Sequence, residues 1–402
     1  MGSLDVTVLT TSYPISEQSV SGVFVARLLQ AMPENIRITV LTPAAPGFQP
    51  MGASSNIRVK TFRYAPDRWQ LLAHQPGGIP VALAQNPFLY LLVPIFLLSM
   101  FIALLRASKN TQLIHANWSI CGYVAGLAGR LRKIPVVTTL RGEDLNRAAT
   151  SWVHDFLVRS TLRSSYRIVT VSDAFSKRIE ENYPEFSAKC ETIPNGVGDE
   201  FIRIGGARTN SLSDAEQYRS SPLRLISVGS LIPRKGMNVV LKAIAQLPEP
   251  GEVLLSIAGD GPEMQSLQSL AEELGIAARV TFVGEQSPSE IATLLQFHDV
   301  FILASHSEGR PNVVLEAKAA GLPVLASDID GVREIVDHDR DGLLFDDNAE
   351  DQLATHIQHL LQRPDVIGRY AMQAHRSIVE NKLTWHRAAE QYQSVYRAAV
   401  LV

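Results

Sequence analysis

Short apolar runs rich in Val, Ile and Thr alternate with longer amphipathic runs along this chain, and the alternation occurs twice. In the first half the strand-like runs are Val6–Thr10, Ile36–Leu41, Ile57–Phe62, Leu113–Ala116 and Val136–Leu140. Between and after them come helix-like runs at Gly22–Met32, Pro87–Ala107, Ser119–Leu131, Ser151–Arg163 and Ala174–Asn182. Strands separated by helical crossovers must run parallel, and a parallel sheet is covered on both faces. The last strand of this half, Cys190–Ile193, meets a Pro194-Asn195-Gly196 turn. Gly205 to Ser221 is polar and lacks an apolar period, so it reads as a connection. A second alternation then runs through Leu223–Val228, Val253–Ala258, Val280–Val283, Val300–Leu303 and Val324–Ala326. A chain of 402 residues exceeds what one core usually serves. The expected division is residues 1–203, a connection over 204–222, and a second domain over 223–383, followed by a terminal helix over 384–402.

The net charge of −3 and ordinary apolar content argue against disorder and against a nucleic-acid partner. The charge is unevenly spread. Residues 1–200 carry 19 Lys and Arg against 14 Asp and Glu, whereas residues 201–402 carry 18 against 26. A basic half and an acidic half fit two domains with different partners. Cys121 and Cys190 lie far apart without metal-ligand spacing, and the amino terminus lacks the basic and apolar regions of a secretory signal, so a cytoplasmic setting is expected. Phe88 to Leu105 contains no charge over eighteen residues. Strand-like runs before and after it look like parts of one sheet, so a membrane crossing is not expected. Two readings remain for it: a helix covering the sheet, or a helix dipping into a lipid interface with Arg106 and Lys109 at headgroup level.

The densest chemistry lies in Ser307-Glu308-Gly309-Arg310-Pro311-Asn312-Val313-Val314-Leu315-Glu316-Ala317. A buried-strand pattern precedes it, then a Gly-x-Pro turn, then an apolar run that starts a helix. This order places the free N–H groups of the new helix, at Asn312 and Val313, at the carboxyl end of a parallel strand, where anionic ligands dock. Glu308 precedes the helix and can face a ligand from the loop. Glu316 lies about one turn inside it.

Glu-Gly-x-Pro followed by Glu-Ala-x-x-Ala-Gly-x-Pro-Val-x-Ala-Ser resembles the signature of retaining glycosyltransferases of family 4, which have the GT-B fold. The resemblance covers nearly the whole chain and is most specific between Leu223 and Phe345. It implies two Rossmann-like doubly wound domains facing a cleft, with the acceptor on the amino-terminal domain and a nucleotide-sugar on the other. It further implies that the last helix crosses back to the first domain near Asn381–Trp385. By resemblance Glu308 lies beside the donor sugar, Glu316 holds the ribose, and Gly309, Asn312 and Val313 belong to the donor site. Family members carry Val-Gly-Arg-Leu and then Lys-Gly where this chain has Val228-Gly229-Ser230-Leu231 and Lys235-Gly236. Lys235 therefore matches a cation that neutralises the donor diphosphate. Ser230 stands where the family has Arg, and Arg234 is the candidate to supply that charge from another point. Gly22 begins a helix facing the ligand in such enzymes. Arg141 replaces a His common in the family; a guanidinium cannot act as a general base, but it can hold the donor diphosphate or an anionic acceptor.

No metal or cofactor beyond the nucleotide-sugar co-substrate is implied. Asp-x-Asp triplets at Asp328–Asp330 and Asp337–Asp339 fall in loop-like stretches and read as structural, as do His115 and Asp260. The dinucleotide fingerprint Gly-x-Gly-x-x-Gly is missing, which argues against an NAD-dependent oxidoreductase. Residues 130–178 carry ten Lys and Arg against four acids. With the apolar run 88–105 in the same half, they suggest an anionic membrane surface and a lipid-diphosphate-linked or glycan acceptor of cell-surface polysaccharide assembly. The rivals are an epimerase or hydrolase on the same scaffold, and a scaffold that has lost activity, which the Ser230 and Arg141 departures keep open.

Overall fold

The computed structural model describes residues 3–401, apart from residues 15, 17, 18, 20, 21, 46, 49–53, 75–77, 212–221 and 248–251. The chain divides into two compact units, Met1–Asn195 with Trp385–Val402, and Gly196–Thr384.

In the first unit β1 (Leu4–Leu9), β2 (Ile36–Pro43), β3 (Ile57–Phe62), β4 (Leu113–Asn117), β5 (Val136–Leu140), β6 (Arg167–Thr170) and β7 (Cys190–Thr192) form one sheet. Its order is β3-β2-β1-β4-β5-β6-β7, and every pair is parallel. Every residue of β4 and β5 is buried, which explains why their sequences are continuous apolar and Thr runs rather than alternations. The expected strands are present. β6, only four residues long, is the strand its sequence does not announce.

The apolar run is a 3-10 turn, Pro87–Leu92, continued by an α-helix, Val93–Ala107. Leu89, Phe96, Met100 and Leu104 are buried against the sheet, and the Phe96 ring packs 5.6 Å from Phe62 and 5.0 Å from Tyr64. Among the described residues it is the one helix long and apolar enough to cross a bilayer. The strands before and after it pair in one sheet, so its two ends lie on the same side. Only 17% of its most apolar stretch is buried, so one face covers the core and the other faces solvent.

The helix Trp385–Val400 packs on the first sheet. The Nδ1 of His115, fully buried in β4, lies 2.7 Å from the Tyr396 hydroxyl, and its Nε2 lies 2.8 Å from Thr139 Oγ1. Thr139 Oγ1 in turn meets the Tyr392 hydroxyl at 2.8 Å. His115 is thus a structural strand residue, as its sequence position suggests. It ties the end of the chain to the sheet.

The second unit carries β8 (Leu223–Val228), β9 (Val253–Ala258), β10 (Val280–Gly284), β11 (Val300–Leu303), β12 (Val324–Ser327) and β13 (Gly342–Phe345), ordered β10-β9-β8-β11-β12-β13 and all parallel. One expectation is corrected here. Residues 204–211, read as part of a connection, lie in the helix Asp199–Ser211. Arg208 on that helix donates to the carbonyls of His298 and Leu295, each at 2.8 Å, and Phe201 is fully buried, so tertiary packing overrides a polar, glycine-containing sequence. Residues 212–221 of the same stretch lie outside the described residues.

The acidic triplets form ion pairs. Asp328 and Asp330 pair with Arg333, Asp337 pairs with Arg340, and Asp341 forms a buried pair with Lys318 at 2.7 Å. Among the described residues no three His, Cys, Asp or Glu side chains are grouped as metal ligands would be.

Burial pulls the His115 pKa down to about 3, with the Arg141 charge adding to the effect. In the unfolded chain it returns to about 6.5, so there the unfolded state binds a proton that the folded state does not. Stability from neutral His115 is complete above about pH 6.5 and is lost as pH falls from there toward 3. Urea unfolding between pH 7 and 5 should show a steeper loss for the wild type than for His115→Gln, by up to about 1.4 kcal/mol per pH unit. Equal slopes would show that His115 is not held neutral.

Candidate active site

In a parallel sheet each strand's carboxyl end opens into a loop that leads to a helix amino terminus, and the sequence-selected residues of the second unit lie on two such loops. The loop after β8 carries Ser230, half-buried, then a single 3-10 turn, Pro233–Lys235, then Gly236 and the helix Met237–Ala245. The loop after β11 carries His306, Ser307, Glu308, Gly309 and Arg310, and leads through Pro311 into the helix Asn312–Ala319. β8 and β11 are adjacent, so the two loops meet.

They meet through charge. Lys235 Nζ donates to Glu308 Oε1 at 2.5 Å, and Arg234 Nη1 stands 3.7 Å from Glu308 Oε2 while donating to the Ser307 carbonyl at 2.9 Å. The Glu308 side chain is nearly buried, Lys235 little less so, and Arg234 is the exposed member. Burial by itself would raise the Glu308 carboxyl. The charges of Lys235 and then Arg234 outweigh it and hold the carboxyl below its usual range. Glu308 is therefore an anion at neutral pH, and a second anion placed nearby would compete with it for both cations.

Gly309 lies in the same loop, and Asn312, Val313 and Glu316 are half-buried on the helix that follows. That helix has no side-chain cap at its amino terminus. The loop is fixed from behind by Arg310, which pairs with Glu334 at 3.2 Å. Gly331 also supports it: a Cβ there would lie 2.4 Å from the Gly309 carbonyl oxygen and 2.5 Å from that of Glu308. Sequence reasoning missed Gly331, whose neighbours are distant in sequence. It also missed the contact of His306 Nδ1 with Asp347 at 2.6 Å. Asp260 behaves as a turn residue, its carboxylate accepting the Gly261 N–H at 2.7 Å.

Arg141 and Gly22 belong to the first unit. Gly22 holds φ at 76° just before the helix Val23–Gln30, and a Cβ there would sit 2.6 Å from the Ser12 backbone. Two residues on, the Phe24 ring lies 4.3 Å under the Arg141 guanidinium, and Trp118 lies 5.9 Å from it. Asn117 Oδ1 accepts from Arg141 Nη2 at 2.9 Å and Asn195 Oδ1 from Nη1 at 3.2 Å. Asn195, read in the sequence as a turn residue only, is thus a contact of Arg141. The geometry brings Glu308, Lys235 and Arg234 together in one unit, and Gly22 and Arg141 near each other in the other.

Two parallel doubly wound sheets are the architecture of GT-B glycosyltransferases, and a carboxylate and two cations cluster at the carboxyl end of the second. A profile of the family described as "Glycosyltransferase Family 4" matches residues 21–201, and one described as "Glycosyl transferases group 1" matches residues 210–380. The D-inositol 3-phosphate glycosyltransferase of Rhodococcus opacus is 34% identical over 72% of this chain and 68% of its own. The N-acetyl-alpha-D-glucosaminyl L-malate synthase of Bacillus anthracis is 25% identical over 72% of this chain and 75% of its own. Among solved structures, Anabaena Alr3699/HepE in complex with UDP and glucose superposes with a TM-score of 0.77, at 19% identity, over 98% of this chain and all of its own. The chain belongs to glycosyltransferase family 4 and is an enzyme of the hexosyltransferase class.

Gly331→Ala should push the Glu308–Gly309 backbone away from Lys235 without emptying the core. The expected result is a folded protein, by circular dichroism, whose transferase activity falls at least tenfold. Full activity in a folded variant would show that the loop tolerates displacement.

Proposed function

We propose that this enzyme transfers a sugar from a nucleotide-sugar, with retention at the anomeric carbon, to a glycan or lipid-diphosphate-linked acceptor at a membrane surface, in cell-surface polysaccharide assembly. The observation that carries the reading is the nearly buried Glu308 carboxylate held between Lys235 and Arg234 at the start of the helix Asn312–Ala319. In this reading the donor diphosphate lies against Lys235, Arg234 and the N–H groups of Asn312 and Val313, with Gly309 leaving room for close approach. Those groups stabilise the charge that gathers on the leaving phosphate. Glu308 then faces the anomeric carbon, and Glu316 accepts hydrogen bonds from the ribose hydroxyls. The bond from the anomeric carbon to the phosphate oxygen breaks, the acceptor oxygen attacks on the same face, and its proton passes to the departing phosphate. The charge work falls to side chains and a helix terminus rather than to a metal. Arg234 takes the role of the Arg that Ser230 replaces.

Uridine nucleotides are the first donors to test, because the Anabaena neighbour is described with UDP and glucose. UDP at 100 times its Kd should stabilise the protein by about 2.7 kcal/mol. Glu316→Ala should weaken that binding by about 1.5–3 kcal/mol, through loss of a charged acceptor for the ribose. Calorimetry that finds the affinity unchanged removes Glu316 from the donor site. Lack of any nucleotide-sugar binding defeats the transferase reading.

The membrane part rests on the outer face of the run Pro87–Ala107. Phe88 is 81% exposed and Leu91 75%, with Ile95, Leu98 and Ile102 continuing at helical spacing. The helix Ser119–Arg132 packs against it and adds exposed Leu131, and the helix Trp152–Ser164, packed on that one in turn, adds Trp152 at 82% exposure. Arg106, Lys109, Arg130 and Lys133 lie on the same elements or at their ends. An apolar face fringed by cations suits the cytoplasmic leaflet, where each such residue contributes about 1 kcal/mol. Vesicles with one third anionic lipid should float the protein at low salt and retain part of it at high salt, because the apolar share is not screened. Leu91→Ser with Leu98→Ser should abolish the salt-resistant part. A protein that ignores such vesicles at low salt has a soluble acceptor.

A further inference from the structure

We propose that the carboxyl end of the first sheet holds a binding site for a carboxylate or phosphate group of the acceptor, formed by the Arg141 guanidinium and the Asn117 carboxamide. The inference rests on the transferase reading and deepens it, because it gives the acceptor a charge.

Arg141 follows β5, Asn117 ends β4, and Asn195 follows β7. β4 is the neighbour of β1, where the sheet order reverses and ligands of open parallel sheets bind. Arg141 is half-buried. Burial pulls its pKa down to about 10, against the opposing pull of Tyr392 and Asp144, so it still carries its charge at neutral pH. Its hydrogen bonds go to neutral oxygens. Nε and Nη2 donate to Asn117 Oδ1 at 3.3 and 2.9 Å, and Nη1 donates to Asn195 Oδ1 at 3.2 Å. Asp144, three residues on, is engaged elsewhere. Its Oδ1 accepts the Ser119 N–H at 2.7 Å, and its Oδ2 accepts the Arg141 backbone N–H at 3.3 Å. Among the described residues no carboxylate forms an ion pair with the guanidinium, whereas a charge partly withdrawn from water is normally paired.

The second observation is independent of the cation. Asn117 is fully buried, and its Nδ2 has no hydrogen-bond partner. The orientation of this amide follows from chemistry, since its oxygen accepts two guanidinium N–H groups and the NH2 must be the other end. A buried donor without an acceptor is costly, so its presence calls for an acceptor supplied from outside. A guanidinium has five N–H groups; three are used here, leaving one on each terminal nitrogen, the pair that grips a carboxylate or phosphate in a bidentate fashion. Phe24 and Trp118 flank the cation at 4.3 and 5.9 Å and restrict its motion. Trp118 itself holds φ at 69°, a strained value for a non-glycine residue, of the kind kept at ligand sites. An oxyanion at this point would satisfy the charge and the orphaned donor together.

The test uses the whole protein with its donor site filled by saturating UDP, and titrates inorganic phosphate in one arm and acetate in the other, read by thermal stabilisation. The expected result is stabilisation by at least one of the two anions at millimolar concentration, the stronger arm identifying the group. Affinity should drop at least tenfold in Arg141→Met and in Asn117→Ala, and should be unchanged in Arg376→Ala, an exposed arginine outside both sites. Because Arg141→Met can disturb folding, the Arg Nε–H resonance lost in Arg141→Lys is followed in wild-type protein by nitrogen-resolved NMR, and it should shift on anion addition. Stabilisation by neither anion, or stabilisation equal in wild type and both first-unit variants, overturns the proposal. So does loss of the effect on adding UDP, which would assign Arg141 to the donor diphosphate. UDP binding without anion binding sinks this inference alone. Anion binding at Arg141 without any nucleotide-sugar binding sinks the transferase reading and leaves the site standing.

Discussion

Everything chemical in this protein depends on the constraint that a strand in a parallel sheet can return only through a crossover. Each carboxyl end therefore opens into a loop that leads to a helix start. In the second unit this geometry brings the loops after β8 and β11 side by side, because those strands are hydrogen-bonded neighbours although they stand far apart in sequence. In the first unit it brings the ends of β4 and β5 together with the helix that follows β1. The same rule thus assembles a carboxylate between two cations in one unit, and a cation beside two carboxamides in the other.

The two assemblies differ in how their charge is satisfied. Glu308 is buried enough that desolvation opposes its ionisation, yet Lys235 and Arg234 keep it charged. Removing Glu308 would leave Lys235 without its counter-charge, so the pair holds the two loops together. Arg141 has no such internal partner, and its neighbours are amide oxygens and aromatic rings. One carboxylate is balanced by cations within its own unit, whereas Arg141 meets only neutral groups there.

Structural and chemical uses of the same residue types separate cleanly. His115 lies in the middle of β4, sealed under Tyr396 and Thr139, and braces the terminal helix. The acidic triplets resemble metal ligands in sequence, yet Asp328, Asp330 and Asp337 find arginines, and nearby Asp341 forms a buried pair with Lys318 of the signature helix. The apolar run Pro87–Ala107 covers the sheet with one face, as the first of its two readings expects. One face is core, and the other is an exposed surface of a kind that soluble proteins rarely leave uncovered.

The sequence by itself determined the parallel two-sheet architecture, because strand and helix periodicities alternate and strands buried on both faces read as unbroken apolar runs. It also determined the candidates Glu308, Lys235 and Arg234, since a strand, a tight turn and a helix start in that order leave little choice about where charged loop residues end up. β6 and β13, of four residues each, escaped the sequence reading. Only tertiary structure decided that residues 204–211 are helical, since the burial of Phe201 and the bonds of Arg208 outweigh a polar local sequence. Only tertiary structure, likewise, set Gly331 behind the signature loop and left Asn117 with a buried donor beside Arg141. Both depend on which residues from distant parts of the chain arrive at the same few ångströms, and no local pattern encodes that arrival.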